Sequence, residues 1–433
     1  MAITRLKLVL LLSASTFLSL SLLSCSAARG GNTPASAAPP GNGGGSGSGG
    51  GTGSGGASNG TQFVYTADAQ SFDISGFQIG NDGGITALAG SPFPVLSRPP
   101  YISSPLALGH AGKYLLAESM SPDSEGGIET FTINSTNGTL TPVTMSPPPA
   151  SPDSFIADGG SLAVDQGRNV VYASGTHTVP IPNGNSGGPA LGAFAVNGDG
   201  SLTPLRGSPY NIPAGTVALD PLGRFLYVVN SGQLWVIPRN SDGSLAAPAP
   251  GSPFKLQGVQ AATPEEACSF SNQASVATSA SGAFLYVACG GSTSLNVLSV
   301  DSSGRVAPVQ SLAPATTSQE LSSVTLNPAG NLLLATEEAA NAVLVFSVDP
   351  ASGKLTQVAS ASAGTRPNSA AFDKSGAFVY VTNGSSVIAK DYFLPGSNNI
   401  SAYAVAQTGS LSPVRGSPFS TGGSPRSVTV VQP

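Results

Sequence analysis

The apolar positions of this chain fall in short, unalternating runs, each launched by a polar turn and closed by a polar residue. Asp220–Asn230, DPLGRFLYVVN, sets the pattern: an Asp-Pro-x-Gly turn, five apolar residues, then asparagine. The pattern returns as GHAGKYLLAES (109–119), DQGRNVVYAS (165–174), SASGAFLYVAC (279–289), NPAGNLLLATE (327–337) and DKSGAFVYVTN (373–383). A copy without its turn, FVYTAD, lies at 63–68. The turn glycines Gly112, Gly167, Gly223, Gly282, Gly330 and Gly376 recur every 46–59 residues. Runs this short are strands rather than helices, and the missing alternation means that both faces are covered. Self-similarity at such a period, built from strands, predicts a radial array of β-sheets.

Each unit reads as four strands: inner, second, third and outer. Around Gly223 these are GTVALD (215–220), FLYVVN, LWVIPR (234–239) and SLAAPAP (244–250). Inner strands carry smaller side chains, as a crowded axis requires. Turns such as NGDGSL and NSDGSL supply the Gly and Asn that left-handed positions need. Seven second strands and seven inner strands can be counted, but the chain starts on a second strand and ends on an inner one, RSVTVV (426–431). The expected fold is therefore an all-β, seven-bladed β-propeller, closed by pairing the C-terminal inner strand with the N-terminal strands. Closure removes two exposed strand edges.

Composition refines the boundaries. Only 9% of the 433 residues are charged, while Gly (55) and Pro (36) punctuate the apolar runs. A formal charge of −5 offers no basic footprint for nucleic acid. Arg5 and Lys7 precede an apolar run, Leu8 to Leu23, shorter than the roughly 20 residues of a membrane span. Leu22-Leu23-Ser24-Cys25 resembles a bacterial lipobox, which implies a signal peptide over 1–24 and lipidation of Cys25. Because Ser26 follows, the resemblance implies retention at the outer membrane. Residues 25–60, the anchor cysteine and a Gly/Ser-rich stretch, cannot bury enough apolar surface to fold. They form a tether with a reach of roughly 30–35 Å. The propeller occupies 61–433. In an exported chain the remaining cysteines, Cys268 and Cys289, either form one bridge or stay as two buried thiols.

The xPxG-φφYVxN units, third strands such as VLVFSVD (343–349), and the segments GSLTPLRGSPY (200–210) and GSLSPVRGSPF (409–419) resemble the seven-bladed lactonase-type propeller family. That family includes propeller 6-phosphogluconolactonases and carboxymuconate cycloisomerases. The resemblance implies an Arg-His pair at the start of one inner strand and a glutamate just past a second strand. Glu338 takes the glutamate position. Ser322-Ser323 stands where the Arg-His pair would precede it, and Arg426-Ser427 supplies an arginine without the histidine.

The remaining candidates come from the residues themselves. Long insertions follow the second strands (119–127, 174–190, 384–398) and the outer strands, which places them on one face, and binding residues concentrate on such loops. The polar residues that close the second strands, Asp68, Ser119, Ser174, Asn230, Cys289, Glu337 and Asn383, are expected to ring the mouth of the axis as a funnel or to satisfy strand ends. His177 is expected in the loop 174–190, and His110 in a turn on the opposite face. Blades six, seven and one should bring Glu338, Arg366, Lys390, Asp391, Tyr392 and Arg426 into one sector, where two arginines suit a carboxylate or phosphate. No nucleophilic triad, P-loop, dinucleotide fingerprint or zinc spacing occurs, and no cofactor is expected. Asp123-Ser124-Glu125 reads as a solvated acidic loop rather than a calcium site.

The expected protein is an envelope-anchored, monomeric propeller that binds a small acid, a sugar or a protein on its loop-rich face. Its membrane contact is the lipid anchor alone. The alternatives are an active lactone hydrolase or cycloisomerase using Glu338, Arg366 and Arg426, and a structural envelope protein.

Overall fold

The computed structural model describes residues 60–96, 106–119, 127–146, 154–156, 160–181, 184–257, 274–289, 294–313, 321–384, 386–389 and 392–433. The expected signal segment, Cys25, the tether up to residue 59, Cys268, the acidic loop at 123–125, Lys390 and Asp391 lie outside these residues.

Among the described residues, seven antiparallel sheets form the wheel, and a separate two-stranded sheet pairs Ser386–Ala389 with Tyr392–Leu394. Blade one joins the chain ends, in the order Pro425–Val431, Phe63–Asp68, Asp73–Ile79, Ile85–Ala87, numbered from the inner strand outward. Blades two to seven begin with the inner strands Leu106–Gly109, Leu162–Asp165, Thr216–Leu219, Ala274–Thr278, Leu321–Leu326 and Pro367–Phe372. Each inner strand touches the next round the ring, the last touching the first. Closure is that of the expected seam: Phe63 pairs with Val431, Val64 with Val430 and Tyr65 with Thr429.

The apolar second strands are buried because each blade lies face to face with two others. Every one of the seven interfaces holds its own apolar cluster. Each fully buried Val, Leu or Phe there contributes about 1.5–3 kcal/mol. Four second-strand tyrosines use their hydroxyls to bind the neighbouring blade, while the buried Tyr227 and Tyr286 hydroxyls make no such bond among the described residues. Tyr65 donates to Gly138 O (2.5 Å), Tyr114 to Gly198 O (2.6 Å) and Tyr172 to Gly243 O (2.6 Å). Across the seam Tyr380 donates to Gly83 O at 3.0 Å. Inner strands are tied round the axis by short side chains: Val217 N donates to Ser161 Oγ, Val324 N to Ser275 Oγ and Leu106 N to Ser427 Oγ.

Two expectations need correction. The outer strand of blade four is not 244–250. Phe254–Lys255 fills that place, opposite Gln233 and Leu234, and Leu245 makes only an isolated bridge to Arg239. Pro248 and Pro250 have no N–H to give a ladder. The segment 174–190 is not a loop either. The second strand of blade three runs on to Ile181 and its partner starts at Gly184, so the sheet itself projects beyond the blade. Ser154–Ile156 pairs along its edge.

Candidate functional site

The two ends of the wheel use charge differently. Four ion pairs occur among the described residues, and three lie on the turn side of blades three and four. There Asp165 meets Arg168 (2.8 Å) and Arg239 (2.6 Å), and Asp220 meets Arg224 (2.8 Å). The fourth, Arg366 with Glu338 at 2.8 Å, lies at the other end, where the second strands finish.

Three neighbouring inner strands share an irregularity beside that pair. In blade six the register passes from Leu321–Glu337 to Ser323–Thr336, so Ser322 is bulged out of the ladder. In blade seven it passes from Pro367–Asn383 to Ser369–Thr382, leaving out Asn368. In blade one it passes from Asp68–Pro425 to Ala67–Ser427, leaving out Arg426. The inner strands of blades three, four and five keep regular register. A bulge re-aims one side chain, and such devices cluster beside functional sites. Ser322 Oγ donates to Pro367 O (2.8 Å) and lies 2.8 Å from Thr336 Oγ1. Asn368 Nδ2 donates to Pro425 O (3.1 Å), and its Oδ1 accepts from Thr382 (2.7 Å). Arg426 holds the third of these places.

Among the described residues, no hydrogen bond or ion pair reaches the Arg426 guanidinium. The protein packed round it pushes its pKa below the ordinary arginine value, while the charge of Glu338 opposes that fall. Arg426 still touches solvent at its surface. A guanidinium stays charged under these conditions. It is thus a desolvated cation with donors to spare, which suits a carboxylate or phosphate. Glu338 and Arg366 are partly exposed, at 14% and 21%.

Of the two readings of the strand-closing residues, a funnel or satisfied strand ends, burial speaks for the second at most of the described positions. Asp68, Ser174, Cys289, Glu337 and Asn383 are 0–1% exposed. Neighbouring segments cover these strand ends, and the polar groups bond inward. Asn383 Nδ2 reaches Asn399 Oδ1 (2.8 Å) and Ser401 Oγ (2.9 Å). Asn230, half-buried, donates to Ala214 O and accepts from Ser231. Asp68 accepts from Thr66 (2.9 Å), Ser75 (2.5 Å) and Gly422 N (3.2 Å). Burial pushes its carboxyl up to about 7; the hydroxyls of Ser75 and Thr66 oppose the rise and nearby Asp73 adds to it.

The two histidines lie elsewhere. His177 is half-buried in the projecting hairpin, opposite Gly188 and Phe155, away from the bulged strands in sequence and sheet. His110 Nε2 donates to Val196 O (2.7 Å), and the ring packs edge-on to Tyr114. Tyr392 opens a short strand paired with Ser386–Ala389. Cys289 is disulfide-bonded, and the other two cysteines lie outside the described residues. No cluster of three metal-ligating side chains occurs among the described residues.

Residues 248–372 match the family described as lactonase, 7-bladed beta-propeller. The wheel is a seven-bladed β-propeller, and this stretch of it is similar to the lactonase type. The matched stretch holds Glu338 and Arg366 and stops short of Arg426. No curated protein matches the chain. Among solved structures, this propeller is similar to the periplasmic gluconolactonase of Pseudomonas aeruginosa: 19% identity, TM-score 0.62, covering 86% of this chain and 99% of that one. A Bacteroides fragilis protein provisionally described as a 6-phosphogluconolactonase matches at 17% identity and TM-score 0.62, covering 86% and 98%. A Lactobacillus plantarum protein matches at 18% and 0.63, covering 86% and 99%. At these identities the likeness speaks for the fold alone.

Proposed function

We propose that this propeller binds a small hydroxylated acid, in its anionic form, at the sector formed by Arg366, Glu338 and Arg426. The observation that carries the reading is the trio of bulges at Ser322, Asn368 and Arg426 on adjoining inner strands, beside the Arg366–Glu338 pair. An anion that meets Arg426 offsets the cost of its desolvation, and a carboxylate such as Glu338 accepts hydrogen bonds from hydroxyls. Held at the cell envelope through Cys25, the protein would capture such an acid outside the cytoplasm. Gluconate is the natural first ligand, given the solved gluconolactonase of this fold.

The second reading is turnover, favoured by the family match across Glu338 and Arg366. Glu338 would take a proton from water as it attacks the lactone carbonyl. The ring C–O bond then breaks, the ring oxygen is protonated, and the arginines hold the new carboxylate. The family's histidine is missing from this sector, which favours binding without chemistry.

Titration calorimetry with gluconate and 6-phosphogluconate, beside a pH-stat assay on their lactones, separates the two. We expect saturable binding, weakened about tenfold or more in Arg426→Ala, the loss of one charge-assisted contact. Lactone opening above the buffer rate that disappears in Glu338→Gln would replace the binding reading with the second. Affinity unchanged in Arg426→Ala would remove this sector from consideration.

A further inference from the structure

Arg366 has φ = +61°, in the left-handed region, immediately before an inner strand. A bulky side chain there is costly unless the surroundings hold it. The hold comes from Asn341, which ends the turn after Glu338 and is itself left-handed at φ = +54°. Its Oδ1 accepts from Arg366 N (2.9 Å), and its backbone O accepts from Ala363 N (2.8 Å). The same turn presents Glu338, whose O accepts from Asn341 N at 3.4 Å. One asparagine therefore ties the turn carrying the carboxylate to the segment carrying the guanidinium.

The next blade repeats the device. Asn398, at φ = +52°, accepts from Ser424 N (2.8 Å) through Oδ1 and from Thr421 N (3.2 Å) through its backbone O. Ser424 is left-handed at φ = +60° and precedes Pro425, as Arg366 precedes Pro367. Asn398 thus fixes the chain two residues before Arg426. A scaffold device used twice, with an arginine on it once and an arginine just beyond it once, separates backbone placement from side-chain chemistry.

We propose that Asn341 and Asn398 are the positioning residues of this site: they clasp the chain before two adjoining inner strands and so aim Arg366 and Arg426 at one ligand. The inference rests on the reading of this sector as a binding site, so its test has an arm that needs no ligand. In that arm, Arg366→Ala and Glu338→Gln are combined in a double-mutant cycle read by thermal unfolding. The parent should show a non-additive shift of about 1–3 °C, from a coupling of roughly 1 kcal/mol. In Asn341→Gly, which tolerates the left-handed turn but has no acceptor, the shifts should become additive. In Asn341→Asp, which keeps the acceptor, non-additivity should return. Coupling that survives in Asn341→Gly would overturn the proposal.

The second arm measures gluconate affinity. Asn341→Gly should lose about as much as Arg366→Ala, with no further loss in the double variant, and Asn398→Gly should lose about as much as Arg426→Ala. Retained affinity in Asn398→Gly alongside a loss in Arg426→Ala would overturn the second clasp. If coupling vanishes while Arg366→Ala leaves affinity intact, the clasp stands and the site reading falls.

Discussion

Two glycines of blade six separate the cost of backbone conformation from the cost of blade packing. Gly330, in the turn between the inner and second strands, and Gly353, in the turn between the third and outer strands, both have φ = +71°. A Cβ at Gly330 would meet nothing within 4 Å. At Gly353 it would lie 2.4 Å from Phe284 Cδ1 and 2.5 Å from Cγ, on the second strand of blade five. Alanine in a left-handed conformation costs about 1–2 kcal/mol. Forcing a half-buried ring aside in a packed interface adds about 1–3 kcal/mol. At roughly 2 °C per kcal/mol for a domain this large, Gly330→Ala should lower Tm by about 2–4 °C and Gly353→Ala by about 4–10 °C. Differential scanning calorimetry on both variants reads the difference directly. Phe284→Leu in the Gly353→Ala background should recover part of the loss, because a smaller side chain vacates the contested space. Equal melting temperatures for the two alanine variants would refute the argument that these turns act as spacers between blades.

Two further outcomes follow. Deleting residues 427–433 strips Phe63–Ala67 of its partner strand and removes the buried Val428 and Val431. At about 1.5–3 kcal/mol per side chain plus the lost ladder, this approaches a whole domain's stability of about 5–15 kcal/mol. The truncated protein should unfold as one cooperative unit, and a melt within a degree or two of the parent would disprove closure through this strand. Asp68 gives the pH dependence: with its carboxyl raised to about 7, the folded state holds a proton that the unfolded chain releases near pH 4. Stability contributed by this group is therefore greatest at the acidic end, falls as pH rises from about 4 to 7, and levels off above that. Asp68→Asn should flatten the slope of Tm over this range, and an unchanged slope in that variant would assign the effect to other groups.

Much of the site was invisible along the chain for identifiable reasons. Glu338, Arg366 and Arg426 could be placed in one sector because blade order follows from strand counting. Their selection among the polar residues of that face could not, because the deciding feature is a one-residue slip between strands. Arg426 is displaced by the register of Pro425 against Asp68, residues at opposite ends of the sequence. The asparagine clasps leave a faint trace, an Asn or Ser beside an unremarkable turn. Left-handed dihedrals are compatible with that residue type but are not announced by it. The strand-closing residues left two readings open, a funnel or satisfied strand ends, since each ends an apolar run. Whether such an end meets water depends on what covers it, and Gly422 from the far end of the chain covers Asp68.

Local chemistry therefore determined what is local or periodic: strands rather than helices, turns of defined residue type, seven repeats, and a phase difference that forces the chain ends into one sheet. Burial and aim belong to the assembled wheel. A second strand is apolar because its own sheet will be sandwiched, and that requirement is written into every repeat. The depth of Asp68, the isolation of Arg426 and the meeting of Arg366 with Glu338 depend on contacts between segments that no repeat encodes. They exist only once neighbouring blades have closed upon one another.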